Sequence, residues 1–442
     1  MKFHILQILP ALTLTFLRLQ EIIYPKQTQR SIRMQDKIYI REYYLDKIRG
    51  FYHSDLIKVI SGIRRCGKSC FMLSVIEDLK KSGVAEEDII YLNLDKRGFT
   101  KIKTPEALEE TIEQRISDDH FKYLLIDEVQ NVKGFEETIN AYREDGNFSI
   151  FITGSNSYLL SGELATKLTG RYIEIEMFTL NFHEYLEMKQ FLGKAVKPNL
   201  TEEFTEYIRF GGFPKTLEFD QLEDKDTYVS GVISQILDKD VRQHRKIRNR
   251  AVFDRVMTYI INNFGATTSL SSIADYFRNE ERINILPETL NNYLNILENA
   301  KIIYKCPRFD VKSKKSLRGE QKYYLADLSI YFSRNVDARI NYGPVLENIV
   351  YTYLCAKGYK VSVGRIGALE CDFITRINDE YRYIQVAMTI MDERTENREY
   401  MPFTKIRDNY PKYLLTIDTL LQKRDGVIHK NIIDFIAKDE NL

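Results

Sequence analysis

The chain of 442 residues carries 64 Lys and Arg against 63 Asp and Glu, a net charge of +1. That length holds about two to four domains with real cores, and the near-neutral balance excludes a global field for nucleic acid or a membrane; such binding must rest on a local patch. Five widely spaced cysteines form neither a disulfide framework nor a paired zinc motif, and six histidines show no HExxH spacing, which fits a cytoplasmic protein without a histidine-held metal.

Residues 1–33 hold the apolar run FHILQILPALTLTFL (Phe3 to Leu17). It has no small-residue cleavage site after it and is too short, and too broken by Pro10, for a good membrane span. We read 1–33 as a dispensable extension, the alternative being a targeting signal, and start the first domain at Met34. LIKVIS (Leu56 to Ser61) is a short strand, and FMLSVIEDLKKSG after it has helical spacing, with Phe71, Leu73, Val75, Ile76 and Leu79 leaving a polar face. DIIYLNL, YLLID, FSIFITGS and RYIEIEM are further short strands, with helical stretches such as TPEALEETIEQRI between several of them. Strand and helix in alternation predict a parallel α/β domain over 34–180.

Between the first strand and its helix lies GIRRCGKSC, Gly62 to Cys70, which matches G-x-x-x-x-G-K-[ST]. Gly62 and Gly67 let backbone N–H groups fold around phosphate oxygens, and the helix that follows points its N-terminus at the same anion. Ile63, Arg64, Arg65 and Cys66 complete the cradle, Lys68 reaches the β- and γ-phosphates, and Ser69 ligates magnesium. YLLIDEVQ (Tyr123 to Gln130) is a buried-type strand ending in two acids: Asp127 for the magnesium shell and Glu128 to orient the attacking water. A bare switch would not need the second acid. In FITGSNS, Ser155 and Asn156 lie just past a strand end, either of them placed to sense the γ-phosphate, with a capping turn as the bland reading. Arg171, in LTGRY, would neutralise transition-state charge or else form a structural ion pair.

From about Leu180 the pattern turns helical, and 181–245 is a helical segment containing the turn FGGFP (Phe210 to Pro214). Three helices and a hairpin over 246–334 have the order of a winged helix-turn-helix. From Lys301 to Lys322 eight cations (Lys301, Lys305, Arg308, Lys312, Lys314, Lys315, Arg318 and Lys322) face Asp310 and Glu320, and KDVRQHRKIRNR upstream is also basic. Double-stranded DNA is the partner this implies, with Pro287 to Leu297 as the recognition helix and Thr289, Asn291 and Asn292 towards the bases. The bland alternative is a packing module with solvated charges.

GIRRCGKS, IDEVQNVKGFE, ITGSNSYLLSGELATKLTGRY, FGGFP and ILDKDVRQH together resemble the AAA-type P-loop ATPases of bacteria and archaea that carry a C-terminal restriction-endonuclease-like domain of unknown function. The resemblance runs from about Met34 to near the C-terminus, more loosely over the last hundred residues. It implies an additional-strand P-loop sheet, a helical segment, a winged helix and a small α/β nuclease-like domain over 335–442; it implies no substrate. Nucleases of that fold gather a metal with a helix Glu, a strand Asp and a Glu/Gln-x-Lys strand. Glu347, Asp372 and Gln385 match; Ala387 stands at the lysine position. The sequence offers Arg382 and Lys405 as relocated cations and does not select one, so the domain reads as degenerate and no magnesium-dependent DNA cleavage is expected. The expected function is ATP hydrolysis with magnesium, coupled to motion of the C-terminal modules. A homo-oligomer is open, and no membrane is involved. The alternative is a DNA-binding regulator or genome-defence component using ATP as a switch, and an active nuclease is the weakest reading.

Overall fold

The apolar run after Asp55 forms β1 (Ile57–Gly62), whose six residues are all buried. β3 (Lys122–Asp127) and β4 (Phe148–Thr153) are buried throughout in the same way, as strands covered on both faces must be. With β2 (Ile89–Asn93) and β5 (Tyr172–Met177) they make a sheet in the order β2-β3-β4-β1-β5, every neighbouring pair parallel. β4 is thus inserted between β1 and β3. This is the computed structural model of the chain, which describes residues 38–154, 168, 170–242, 247–313, 315–335 and 341–442, the side chains of 240, 242 and 316–318 excepted.

Among the described residues four helices accompany this sheet: α1 (Glu42–Arg49), α2 (Lys68–Lys81), α3 (Pro105–Glu113) and α4 (Phe135–Glu144). The hydroxyl of Thr104 caps α3 by accepting from Ala107 N–H, and Pro105 supplies a preset first residue. Leu108 and Ile112 of α3 and Phe135 and Ile139 of α4 close over Val59, Leu124, Ile126 and Ile152.

The helical segment comprises α5 (Phe182–Phe191), opened by a capping box between Asn181 and Glu184, then α6 (Leu200–Phe210) and α7 (Leu222–Ile236), which runs into π-turns over Leu237–Arg242. Next come α8 (Arg250–Asn262), α9 (Leu270–Asn279), α10 (Pro287–Asn299) and the hairpin of β6 (Ile303–Asp310) and β7 (Lys315–Leu325), with Thr268 bridging Gln321. The last unit begins with α11 (Tyr342–Ala356), β8 (Lys360–Ile366), β9 (Leu369–Ile377), β10 (Glu380–Val386) and α12 (Glu393–Thr404). It ends with β11 (Lys412–Thr416), β12 (Lys423–Arg424), β13 (Val427–Asn431) and α13 (Ile432–Ala437).

The sequence draws a line between 334 and 335, and the second sheet runs across it. Its order is β12-β13-β11-β10-β9-β8-β6-β7, and the hairpin strand β6 pairs in parallel with β8, Arg308 opposite Val363. Among the described residues no helix is long and apolar enough to cross a membrane.

One charged residue interrupts β1. Lys58 is fully buried, donates to Ser54 O at 2.8 Å and Ser149 Oγ at 3.0 Å, and lies over the Phe151 ring. Burial pulls its pKa from 10.5 down to about 8. Below that value both folded and unfolded chains hold the proton and the folded state carries the full penalty, about 3 kcal/mol. Between about 8 and 10.5 the unfolded chain binds more protons, so this group makes stability rise with pH across that window. Lys58→Met is expected to gain about 2 kcal/mol at neutral pH and to flatten that rise. Urea melts at neutral and alkaline pH read both effects; a variant less stable than wild type at neutral pH contradicts them.

Candidate nucleotide site

The loop between β1 and α2 owes its shape to three residues with positive φ: Gly62 at 138°, Arg65 at 70° and Gly67 at 108°. A Cβ on Gly62 would stand 2.2 Å from Met177 O, because β1 and β5 lie side by side there with Gly62 opposite Met177. Gly67 caps α2 without any side-chain acceptor, so the first N–H groups of the helix point into the loop. Ile63 and Cys66 are buried beneath it, and burial pushes the Cys66 thiol up, as suits a packing residue. The Lys68 ammonium donates to Gly62 O at 2.9 Å and Ile63 O at 3.3 Å, so it spans the loop it would use to hold phosphate. Ser69 is half-buried and Cys70 exposed on the first turn of α2.

The two acids sit at the tip of β3. Asp127 is fully buried: its Oδ1 accepts from Thr153 Oγ1, and its Oδ2 accepts from Asn93 Nδ2 at 2.8 Å and Tyr91 OH at 3.3 Å. Thr153 also accepts from Glu128 N–H at 3.1 Å. The last residue of β4 thereby fixes both acids, while Asn93 holds Asp127 from β2. Glu128 has φ of 59°, a left-handed turn that swings its side chain out of the strand line, and Gln130 Nε2 donates to its carboxylate at 2.5 Å. Sequence reading missed Thr153, Asn93 and Tyr91. The signal for Thr153 was its place as the last strand residue before Gly154. Ser155 and Asn156, selected from that loop, lie outside the described residues.

Arg171 falls elsewhere. It precedes Tyr172, which pairs with Ile57 at the far end of β1 from Gly62, so about 20 Å of strand separates it from the loop. Its guanidinium donates to Asn140 Oδ1 at 2.9 Å and stands 3.9 Å from Glu144, both on α4. The fold therefore does not bring Arg171 to the phosphate loop of its own chain.

Residues on both sides of it in sequence reach that loop instead. Arg41 is buried and makes two 2.7 Å bonds to Glu184, one to Phe178 O at 2.7 Å and one to Cys66 O at 3.5 Å, tying the cradle to the segment after β5. Pro214, from the FGGFP turn, lies against Gly67, and Arg65 donates to Gln235 of α7 at 3.2 Å. The turn is wedged in turn. Gly212 N–H donates to the buried Asp327 carboxylate at 2.8 Å, and Leu180 N–H donates to Gly212 O at 2.8 Å. Lys301, at the foot of the hairpin, pairs with Glu176 of β5 at 2.6 Å.

A second polar cluster lies on the other sheet. Asp372 N–H donates to Gln385 Oε1 at 2.7 Å, and Val386 N–H donates to Asp372 Oδ2 at 2.8 Å. Gln385 donates onward to Glu399 of α12 at 2.9 Å. Ala387 is buried in the core beside Cys371 and Ile390. Arg382 donates to Leu442 O and Glu380, and Lys405 is exposed at the end of α12, so neither guess joins the cluster. A cation that the sequence did not select does. Lys322 of β7 bonds Glu347 Oε2 at 2.9 Å and Glu370 Oε1 at 3.0 Å. The eight cations expected to track phosphate thus shrink: Lys301 serves Glu176, Arg308 serves Glu320 and Glu370, and Lys322 serves the cluster. Lys312 and Lys315 remain exposed at the hairpin tip; residue 314 lies outside the described residues.

Known proteins match both halves of this arrangement. The family described as AAA domain matches residues 54–186, and a domain of unknown function, DUF8612, matches 201–337. Among solved structures, a Walker-type ATPase of Pyrococcus abyssi has a TM-score of 0.46 at 17% identity, covering 68% of this chain and 97% of its own. The Aeropyrum pernix ORC1 protein in complex with DNA has a TM-score of 0.32 at 11% identity, covering 68% and 94%. An uncharacterized protein of Haemophilus influenzae is 35% identical over 401 residues, which is 90% of this chain and 98% of the relative. Another, of Methanocaldococcus jannaschii, is 33% identical over 312 residues, 69% of this chain and 67% of the relative. With the phosphate loop, the acid pair at the tip of β3 and relatives that match across most of its length, this chain belongs to the AAA-type P-loop ATPases of bacteria and archaea.

Proposed function

We propose that the protein binds ATP at the Gly62–Cys70 loop and hydrolyses it, and that the cycle moves the helical segment and the C-terminal modules. The observation that carries this is the pair of hydrogen bonds at Thr153: one hydroxyl donates to the Asp127 carboxylate and accepts from the Glu128 backbone N–H, which fixes the two neighbouring acid residues at the strand tip. Lys68 and the N–H groups of α2 would hold the β- and γ-phosphates. Ser69 and Asp127 offer the oxygen donors that magnesium prefers, and the bound ion would neutralise phosphate charge. Glu128 would orient the attacking water and take its proton. Coupling follows from who touches the loop: Arg41, Pro214 and Gln235 carry its movement into the segment after β5 and into α7. Turnover of ATP by the purified protein, with magnesium and with the magnesium chelated, tests the reading; no magnesium-dependent phosphate release above the Lys68→Ala blank sinks it. Arg171 would serve catalysis only in a neighbouring copy, so a monomeric ATPase with full turnover removes it from the site.

A second reading, DNA binding, is favoured by the hairpin. We read α8 to β7 as a winged helix-turn-helix, with Thr268–Gln321 as its short extra pairing and Asn291 and Asn292 exposed on α10. Changing Lys312, Lys314, Lys315 and Arg318 to Glu is expected to weaken duplex binding and flatten its salt dependence, by about 0.9 in slope for each phosphate that is no longer neutralised. ATP binding should not change. A salt titration giving equal affinity for both proteins moves the DNA site elsewhere.

A further inference from the structure

On the second sheet the Lys322 ammonium stands between two carboxylates, Glu347 and Glu370, and within electrostatic reach of a third, Asp372. The Lys322 side chain is 6% exposed, with its Nζ 2.9 Å from Glu347 and 3.0 Å from Glu370. Tyr324, two residues along β7 and on the same face, donates to Glu347 at 2.8 Å, and Arg308 donates to the other oxygen of Glu370 at 2.9 Å. Burial first, and then the Glu347 charge, push the Asp372 carboxyl well above the usual carboxylate range, while Lys322 pulls it back. Oxygen donors of this kind on a helix and two strand positions are what a hard divalent cation takes as ligands. Here the positive charge is already supplied from inside the chain.

We infer that the Lys322 ammonium is a built-in replacement for a divalent cation, so that the pocket binds no metal until this lysine is removed. Two physical facts support it. The ammonium and a dication repel, and Glu347 and Glu370 stand at hydrogen-bond distance from Nζ, about 0.8 Å farther than magnesium would allow. A comparable arrangement occurs elsewhere in the chain: the ligand atoms of Asp88, Asp118 and His120 lie close enough together for one ion, and the Lys122 ammonium bridges the two carboxylates at 2.6 and 2.5 Å. The lysine reaches its acids from the hairpin, 25 residues before Glu347 in sequence, so the charge that replaces the ion also fastens β7 to α11 and β9.

The experiment is thermal melting of the nucleotide-free full chain with and without millimolar Mn2+. Wild type should not respond. Lys322→Met should melt below wild type and recover about 5 °C when Mn2+ is added, and Lys322→Met with Asp372→Asn should recover nothing. No recovery in Lys322→Met overturns the inference. So does a rise in wild type that Asp372→Asn abolishes, since the pocket would then hold metal with its lysine in place. Should Lys322→Met fail to fold, Mn2+ binding by electron paramagnetic resonance decides between wild type and Asp372→Asn. Equal binding supports the internal cation, and loss of a bound ion in Asp372→Asn overturns it.

Discussion

Glu128→Gln is expected to bind ATP as wild type does and to lose at least about 10²-fold in turnover, the size of a removed general base. Lys68→Ala is expected to lose binding itself. The difference follows from position. Glu128 leaves the strand line through its left-handed turn and would meet the water, whereas Lys68 is folded onto the carbonyls of Gly62 and Ile63 and would meet the phosphates. Losing Lys68 also loosens the loop, so its effect exceeds that of one charge-assisted hydrogen bond, about 1.5–3 kcal/mol. Nucleotide titration and single-turnover hydrolysis of both variants separate binding from chemistry. Wild-type turnover by Glu128→Gln takes the water-orienting role away from it.

Gly62→Ala should be severely damaging for a single added methyl group. At φ of 138° the new Cβ lands 2.2 Å from Met177 O, a backbone atom that cannot swing aside, and 3.0 Å from Cys66 Sγ. We expect a loss of about 3 kcal/mol or more in denaturant melts together with loss of nucleotide binding, because strand pairing and cradle are disturbed at once. Gly67→Ala is the control. Its φ of 108° is also strained, but the nearest atom is Pro214 Cγ at 3.9 Å, so it should spare most of the stability while weakening phosphate binding. Equal stability losses in the two would mean that backbone conformation, not the clash with β5, dominates at Gly62.

The loop and the acid pair were legible because their meaning is local. GIRRCGKS spans eight residues, and Asp127 and Glu128 end one apolar run. Arg171 could not be placed from sequence for the opposite reason. Its role depends on which end of a parallel sheet it occupies, and the residue before a strand lies at the end away from the ligand. Lys322 was hidden by the way the chain divides. Read as part of a wing, it counted towards a basic patch; in space it belongs to acids that follow it in sequence. Its alternation with Tyr324, two residues on and sharing Glu347 as partner, was the trace of a buried face. Asn93 and Thr153 carried no motif: each is one polar residue closing an apolar strand, and only the order of β2, β3 and β4 makes them neighbours of Asp127.

The pairing of β6 with β8 has a consequence for any attempt to isolate the last unit. β8 is held by β9 on one side and by the hairpin on the other. A fragment that begins after residue 334 would bare the β8 edge, with its unsatisfied N–H and C=O groups next to apolar Val361 and Val363, and would leave Glu347 without Lys322. Such an edge is a template for strand addition by other copies. The separated C-terminal piece should therefore come out of cells as inclusion bodies, while a piece that starts before α8 should stay in solution.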